Sequence, residues 1–230
     1  MEIAVKTVMT ALAAVFALTT SVGAAAATTF TEGVNYFLVE NIPHTAAPSG
    51  SIEVVEVFSY GCPACNEFQP VARQLRASLP ASAKFRLVPA AFVAAEDWPM
   101  FQRAYCTAEV LGIADKTHDA MFDAIWKTGE LSITDKVSGR LKNPLPSIED
   151  AARFYEKHST VKAADFVAAA NSMSIGIKLK DADAFIRLYR VDKTPTFIVA
   201  NKYRTDASAA GGYPQLVELV NLLVAKELKK

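Results

Sequence analysis

The stretch Ile52-Glu53-Val54-Val55-Glu56-Val57-Phe58-Ser59-Tyr60-Gly61-Cys62-Pro63-Ala64-Cys65 decides how the rest of the chain is read. Residues 52–60 are dominated by β-branched and aromatic side chains, and so continuous an apolar run suits a strand buried on both faces. The run stops at Gly61, and from Pro63 onward the apolar positions become Phe68, Val71, Leu75 and Leu79, a helical stripe that Pro80 closes. Pro63 takes the first helical position, where its missing amide proton is harmless, while Pro70 lies inside the helix and is expected to kink it. A strand thus delivers Cys62 to a helix N-terminus, with Cys65 one turn further in.

That placement is chemical. The first sulfur of a Cys-X-X-Cys at a helix start meets unpaired backbone amides and the positive end of the helix dipole, which favour thiolate over thiol. Cys62 is therefore the nucleophile of a redox pair, and Cys65, deeper, is placed to resolve a mixed disulfide. Glu56 is a second signal: a carboxylate in the middle of an apolar strand is costly to bury, so its pKa should be raised, and it could pass a proton to or from Cys65. The competing reading of Glu56 is an edge glutamate pointing to water; Glu53, at the strand entry, is expected to be solvated. For the pair itself the alternatives are half of a zinc site, which needs two further ligands, and a purely structural disulfide.

Working outward, residues 34–40 read as a short strand and residues 43–50 as a loop of small and turn-forming residues. Residues 84–89 suggest another strand. Between about Asp97 and Tyr189 the strand signal disappears and helical patterns succeed one another: Phe101, Tyr105, Ala108 and Leu111, then Met121, Ile125 and Trp126. Ser147 with Asp150 resembles a capping box before residues 151–157, and residues 175–189 carry Leu179, Ala182 and Ile186 on one face. Strand character returns at residues 196–200, and Asn201-Lys202 turns the chain back into Tyr203-Arg204-Thr205. After Gly211-Gly212-Tyr213-Pro214, a last helix carries Leu216, Leu219, Val220, Leu223 and Leu228.

The 230 residues are 51% apolar, ample for a packed core, and 24 basic residues balance 24 acidic ones. No net field draws in nucleic acid or an anionic surface, so no nucleic-acid role is expected. At the N-terminus, Lys6 precedes an apolar run over residues 8–18 and small residues through Ala27, the pattern of a secretory signal peptide cut near Ala26. The run is too short to span a bilayer, which takes about 20 apolar residues. Three cysteines cannot all pair internally. Cys106, among Phe101, Tyr105 and Leu111 on one helical stripe, reads as an inert buried thiol, with a regulatory or intermolecular thiol as the alternative. His44, His118 and His158 form no paired motif and read as surface or loop residues, so no metal is expected.

Thr194-Pro195-Thr196, just before a strand, is a weak signal by itself. Were Pro195 cis, Thr194 could present backbone groups to an extended substrate next to the cysteines. Together, Phe58-Ser59-Tyr60-Gly61-Cys62-Pro63-Ala64-Cys65, the long helical insertion, Thr194-Pro195-Thr196 and Asn201-Lys202-Tyr203-Arg204 resemble the bacterial DsbA family over nearly the whole chain after the signal segment. The resemblance implies an α/β thioredoxin fold with an inserted all-helical domain: residues 1–26 as signal peptide, 27–94 and 185–230 as the two parts of the thioredoxin-fold domain, and 95–184 as the insertion. It implies periplasmic location, donation of the Cys62-Cys65 disulfide to newly exported, unfolded or partly folded proteins, and reoxidation by a DsbB-type, quinone-linked membrane partner. No cofactor beyond the redox-active disulfide is expected, and the chain is expected to be a monomer. Glu56 falls at the family's buried acid-base carboxylate, Cys62 at its exposed nucleophile and Pro195 at its cis-proline. Ala64 stands where the well-studied oxidants have histidine, and Thr194 where they commonly have valine. Losing the imidazole beside Cys62 should make a milder oxidant. Threonine before the cis-proline also occurs in the isomerase-like relatives DsbC and DsbG, so a reductase or isomerase is one rival reading. A binding or chaperone module with a structural disulfide is the other.

Overall fold

The computed structural model describes residues 29–40 and 51–229. The signal segment, the 43–50 loop and His44 lie outside the described residues. One sheet organises the rest, in the order β1-β5-β4-β2-β3. Its strands are β1 (Phe37–Leu38), β2 (Ile52–Phe58), β3 (Ala83–Pro89), β4 (Thr196–Val199) and β5 (Tyr203–Asp206). β2 pairs parallel to β3 and antiparallel to β4, which pairs antiparallel to β5.

β2 is enclosed because its side chains are apolar on both faces. Val54 and Phe197 pack with Phe68, Ala72 and Leu75 of α1 (Pro63–Ser78) and with Leu216, Leu219 and Val220 of α8 (Tyr213–Leu228). On the opposite face, Val55, Val57 and Ile198 pack with Ala182 and Ile186 of α6 (Met173–Leu188). α6 runs unbroken through residue 184, and its C-terminal half covers the sheet.

Between β3 and β4 the chain is helical: a 3₁₀ turn at Ala94–Glu96, then α2 (Trp98–Val110), α3 (Ala114–Trp126), α4 (Ile148–His158), α5 (Ala163–Ala170) and α6. Ser147 and Asp150 form the expected capping box on α4. Phe101, Tyr105, Met121, Phe122, Phe154 and Phe166 build a second core here, which Phe58 and Tyr60 enter from the end of β2.

Several expectations change. The strand expected over residues 34–40 shrinks to Phe37–Leu38, because the chain turns tightly at Thr31–Asn35 around Gly33, whose φ is +80°. The hairpin turn centres on Ala200-Asn201, one residue earlier than expected. Both have positive φ, +55° and +53°, and Lys202 N–H donates to the Val199 carbonyl at 3.0 Å; with Val199 opposite Tyr203, the connection spans residues 200–202. The helices α5 and α7 (Ala207–Ala210) go beyond the sequence pattern. Both are alanine-rich and short, and helical periodicity needs more than two turns to declare itself.

Candidate active site

Cys62 is the N-cap of α1. Its Sγ lies 3.4 Å from the Cys65 backbone N–H, which donates to it, and 3.4 Å from the Thr194 carbonyl, to which its thiol donates. Pro63 occupies the first turn, Asn66 N–H donates to the Cys62 carbonyl at 3.1 Å, and the turn into the helix is closed by Cys62 N–H donating to the Ser59 carbonyl at 3.2 Å. Both cysteines are thiols; Cys65 is wholly enclosed, while Cys62 keeps 5% of its surface in solvent beside the exposed Pro63 and half-buried Ala64.

Antiparallel pairing explains how Thr194 and Pro195 reach this site. Val57 stands opposite Thr196, so residues preceding Thr196 run alongside those following Val57, and Thr194–Pro195 arrives at the cysteine turn. The Thr194–Pro195 bond is cis. The loop leading to it is tied down by Thr196 Oγ1 donating to the Lys193 carbonyl at 2.8 Å and by an ion pair from Lys193 to Asp206 at 3.3 Å.

The two sulfurs differ sharply in acidity. The hydrogen bond from the Cys65 thiol, then the Thr194 hydroxyl and the Cys65 and Ala64 amides, hold the Cys62 pKa down at about 6 against the opposing effect of burial. Among the described residues the buried Thr194 hydroxyl has no partner beside the neutral thiol, which leaves it able to turn toward a thiolate. Burial, and then the neighbouring Cys62, push the Cys65 thiol well above its ordinary value.

Glu56 is 1% exposed and lies under α1, so it is not an edge glutamate facing water. Burial lifts its pKa from 4.5 to about 8; Arg76 pulls it down and Cys62 pushes it up. Its Oε1 has no hydrogen-bond partner among the described residues, and its charge is close enough to raise the Cys65 thiol. Glu53, expected in water, instead accepts from Arg86 through both carboxylate oxygens, at 2.8 and 3.2 Å. The parallel register places Val55 opposite Arg86, and the charges meet where β2 emerges.

His118, expected at the surface or in a loop, is a buried residue of α3. It is hydrogen-bonded through Nδ1 to the Tyr60 hydroxyl at 3.0 Å, and burial followed by the charge of Arg76 lowers its pKa to about 3. Its apolar helical neighbours Met121, Phe122 and Ile125 carried the available signal. His158 is exposed at the end of α4. Cys106 is buried in α2, where burial raises its thiol to about 12. Among the described residues no three His, Cys, Asp or Glu side chains group as a metal-ligand set.

No family model matches the chain. The thiol:disulfide interchange protein DsbA of Azotobacter vinelandii is 33% identical over 181 residues, 79% of this chain and 77% of the relative. That of Pseudomonas aeruginosa is 31% identical over 223 residues, 97% and 95% of the two chains. Among solved structures, Pseudomonas aeruginosa DsbA superposes with a TM-score of 0.71 at 31% identity, covering 86% of this chain and 94% of that one. The oxidoreductase DsbA of Xylella fastidiosa gives 0.73 at 30% identity, covering 86% and 97%. With a thioredoxin fold interrupted by helices and a cysteine pair at the start of α1, the chain belongs to the DsbA family of thiol:disulfide oxidoreductases.

Proposed function

We propose that this protein is exported to the periplasm after removal of residues 1–26 and there donates its Cys62-Cys65 disulfide to newly exported, unfolded or partly folded proteins. The observation that carries this reading is the asymmetry of the pair: an acidic, solvent-touching Cys62 and an enclosed Cys65 of high pKa.

A substrate thiolate attacks Cys62 Sγ, the Cys62–Cys65 bond breaks, and Cys65 departs with the electron pair. Glu56, largely protonated at neutral pH, supplies the proton that this deep thiolate needs. A second substrate thiolate then attacks the substrate sulfur of the mixed disulfide and expels Cys62 as its stabilised thiolate. Two electrons pass from the substrate dithiol to the protein, and a DsbB-type, quinone-linked membrane enzyme removes them. Thr194 and the cis-Pro195 line the substrate chain, with the Thr194 backbone as its hydrogen-bonding partner. Pro63 starts the helix without wasting a donor, and Ala64 offers its amide but no imidazole to Cys62. The fold divides into a thioredoxin-fold domain of residues 27–94 and 185–230 and a helical insertion of residues 95–184. The disulfide is its only redox group, and the protein acts as a monomer.

The test is oxidative refolding of a reduced, unfolded disulfide protein in glutathione disulfide. Wild type accelerates it and Cys62→Ser does not. Equal rates for the two would remove Cys62 from the exchange reaction and sink the disulfide-donor reading.

A further inference from the structure

The turn that presents Cys62 is held from outside the thioredoxin-fold elements. The Trp126 indole N–H, at the end of α3, donates to the Tyr60 carbonyl at 2.9 Å. The Tyr60 hydroxyl is hydrogen-bonded to Nδ1 of His118, on the same helix, at 3.0 Å. Trp98, opening α2, lies so close over Gly61 that a Cβ there would meet its Nε1 at 2.6 Å. From the strand side, Ser59 Oγ accepts from Gly61 N–H and the Ser59 carbonyl from Cys62 N–H, both at 3.2 Å. The Tyr60 carbonyl is thus bonded, and the Gly61 Cα covered, by side chains of the helical segment.

His118 is the informative member. Its ring sits among Phe58 at 5.1 Å, Phe122 at 5.2 Å and Tyr60 at 5.3 Å, a setting in which an apolar side chain would pack without the cost of burying ring nitrogens. What the imidazole adds is a directional bond to Tyr60, and buried polar contacts of this kind fix one arrangement out of several that packing alone allows. Tyr60 is two residues from Cys62. A rotation of its carbonyl would swing the following peptide and carry Cys62 away from the Ala64 and Cys65 amides.

We infer that His118 and Trp126 are positioning residues: they fix the Tyr60–Gly61 peptide so that Cys62 Sγ stays on the first-turn amides and against the Thr194 carbonyl, and the helical insertion thereby sets the reactivity of the redox pair. The inference rests on Cys62 being the attacking thiol.

The experiment measures the pH profile of Cys62 alkylation by iodoacetamide in the full protein, together with its thiol-disulfide equilibrium against glutathione. The variants are Trp126→Phe, His118→Phe and Tyr60→Phe, with Phe154→Leu, a buried side chain of α4 that makes no hydrogen bond to the turn, as a stability control. Trp126→Phe and Tyr60→Phe, which delete one donor or one hydroxyl, keep the test informative if His118→Phe does not fold. The expected result is a profile displaced upward by about half a pH unit and an equilibrium moved about threefold toward the disulfide in each turn variant, with neither change in the control. Unmoved profiles, or an equal displacement in Phe154→Leu, overturn the inference while leaving Cys62 as the nucleophile. A wild-type profile centred near that of an ordinary thiol overturns both.

Discussion

Replacing Glu56 by glutamine should change how stability depends on pH, in a direction the burial of this carboxyl dictates. Between its unfolded value of 4.5 and its folded value of about 8, the folded protein holds a proton that the unfolded chain has released. Stability therefore falls as pH rises through that window, by about 1.4 kcal/mol per pH unit, and below it Glu56 has no effect. The destabilisation reaches about 3 kcal/mol at pH 7 and about 5 kcal/mol once the carboxylate is charged in both states. Glutamine keeps the shape and carries no proton. Its amide, with no partner at the Oε1 position among the described residues, costs about 1–3 kcal/mol at every pH, so the difference between the two proteins, followed across pH, isolates the carboxyl. Urea unfolding of both reduced proteins at pH 5, 6, 7 and 8 supplies it, with equal m-values as the check that the unfolded states match. The variant should gain on wild type by several kcal/mol from pH 5 to pH 8. A difference that stays constant would mean that Glu56 titrates like a solvated carboxylate, and the proton donor assigned to Cys65 would be lost with it.

Other substitutions reach the same site by different routes. Ala64→His places an imidazole beside Cys62 and should move the reduction potential about 30 mV or more toward that of a stronger oxidant, measured against glutathione; an unchanged potential would show that the amides and Thr194 already saturate the thiolate. Thr194→Val removes the buried hydroxyl that helps lower the Cys62 thiol to about 6, so alkylation at pH 6 should slow about twofold. Gly61→Ala drives a methyl into the Trp98 indole and should cost about 1–3 kcal/mol in thermal or urea unfolding, with Trp98→Phe restoring part of it. Cys106→Ala should leave the potential and the alkylation profile of Cys62 unchanged, since that thiol is buried and raised to about 12.

Much of the fold and the site is legible in the residues. An apolar run ending at Gly61, a proline after Cys62 and a helical stripe behind it determine strand, turn and helix almost without reference to the rest, because each signal is local and they agree. Glu56 is legible for the opposite reason: a charge in that run contradicts its surroundings, and such contradictions mark function. What escapes depends on contacts between distant segments. Nothing near His118 says that Tyr60, 58 positions earlier, will supply its hydrogen bond, and Glu53 reads as solvated because its partner Arg86 lies on the neighbouring strand. α5 escapes because alanines at 163, 164, 168, 169 and 170 fill most of its eight residues and leave too little contrast to reveal a face.

The reduction potential of Cys62-Cys65 bears most directly on the direction of electron flow, and it is obtained by equilibrating the protein in glutathione buffers and quantifying its free thiols. A disulfide donor whose reduced form is stabilised at Cys62, but without an imidazole at position 64, should lie between about −120 mV, the value of a strong DsbA oxidant, and about −200 mV. A value near that of thioredoxin, about −270 mV, would make the protein a reductant and contradict the disulfide donation proposed for it.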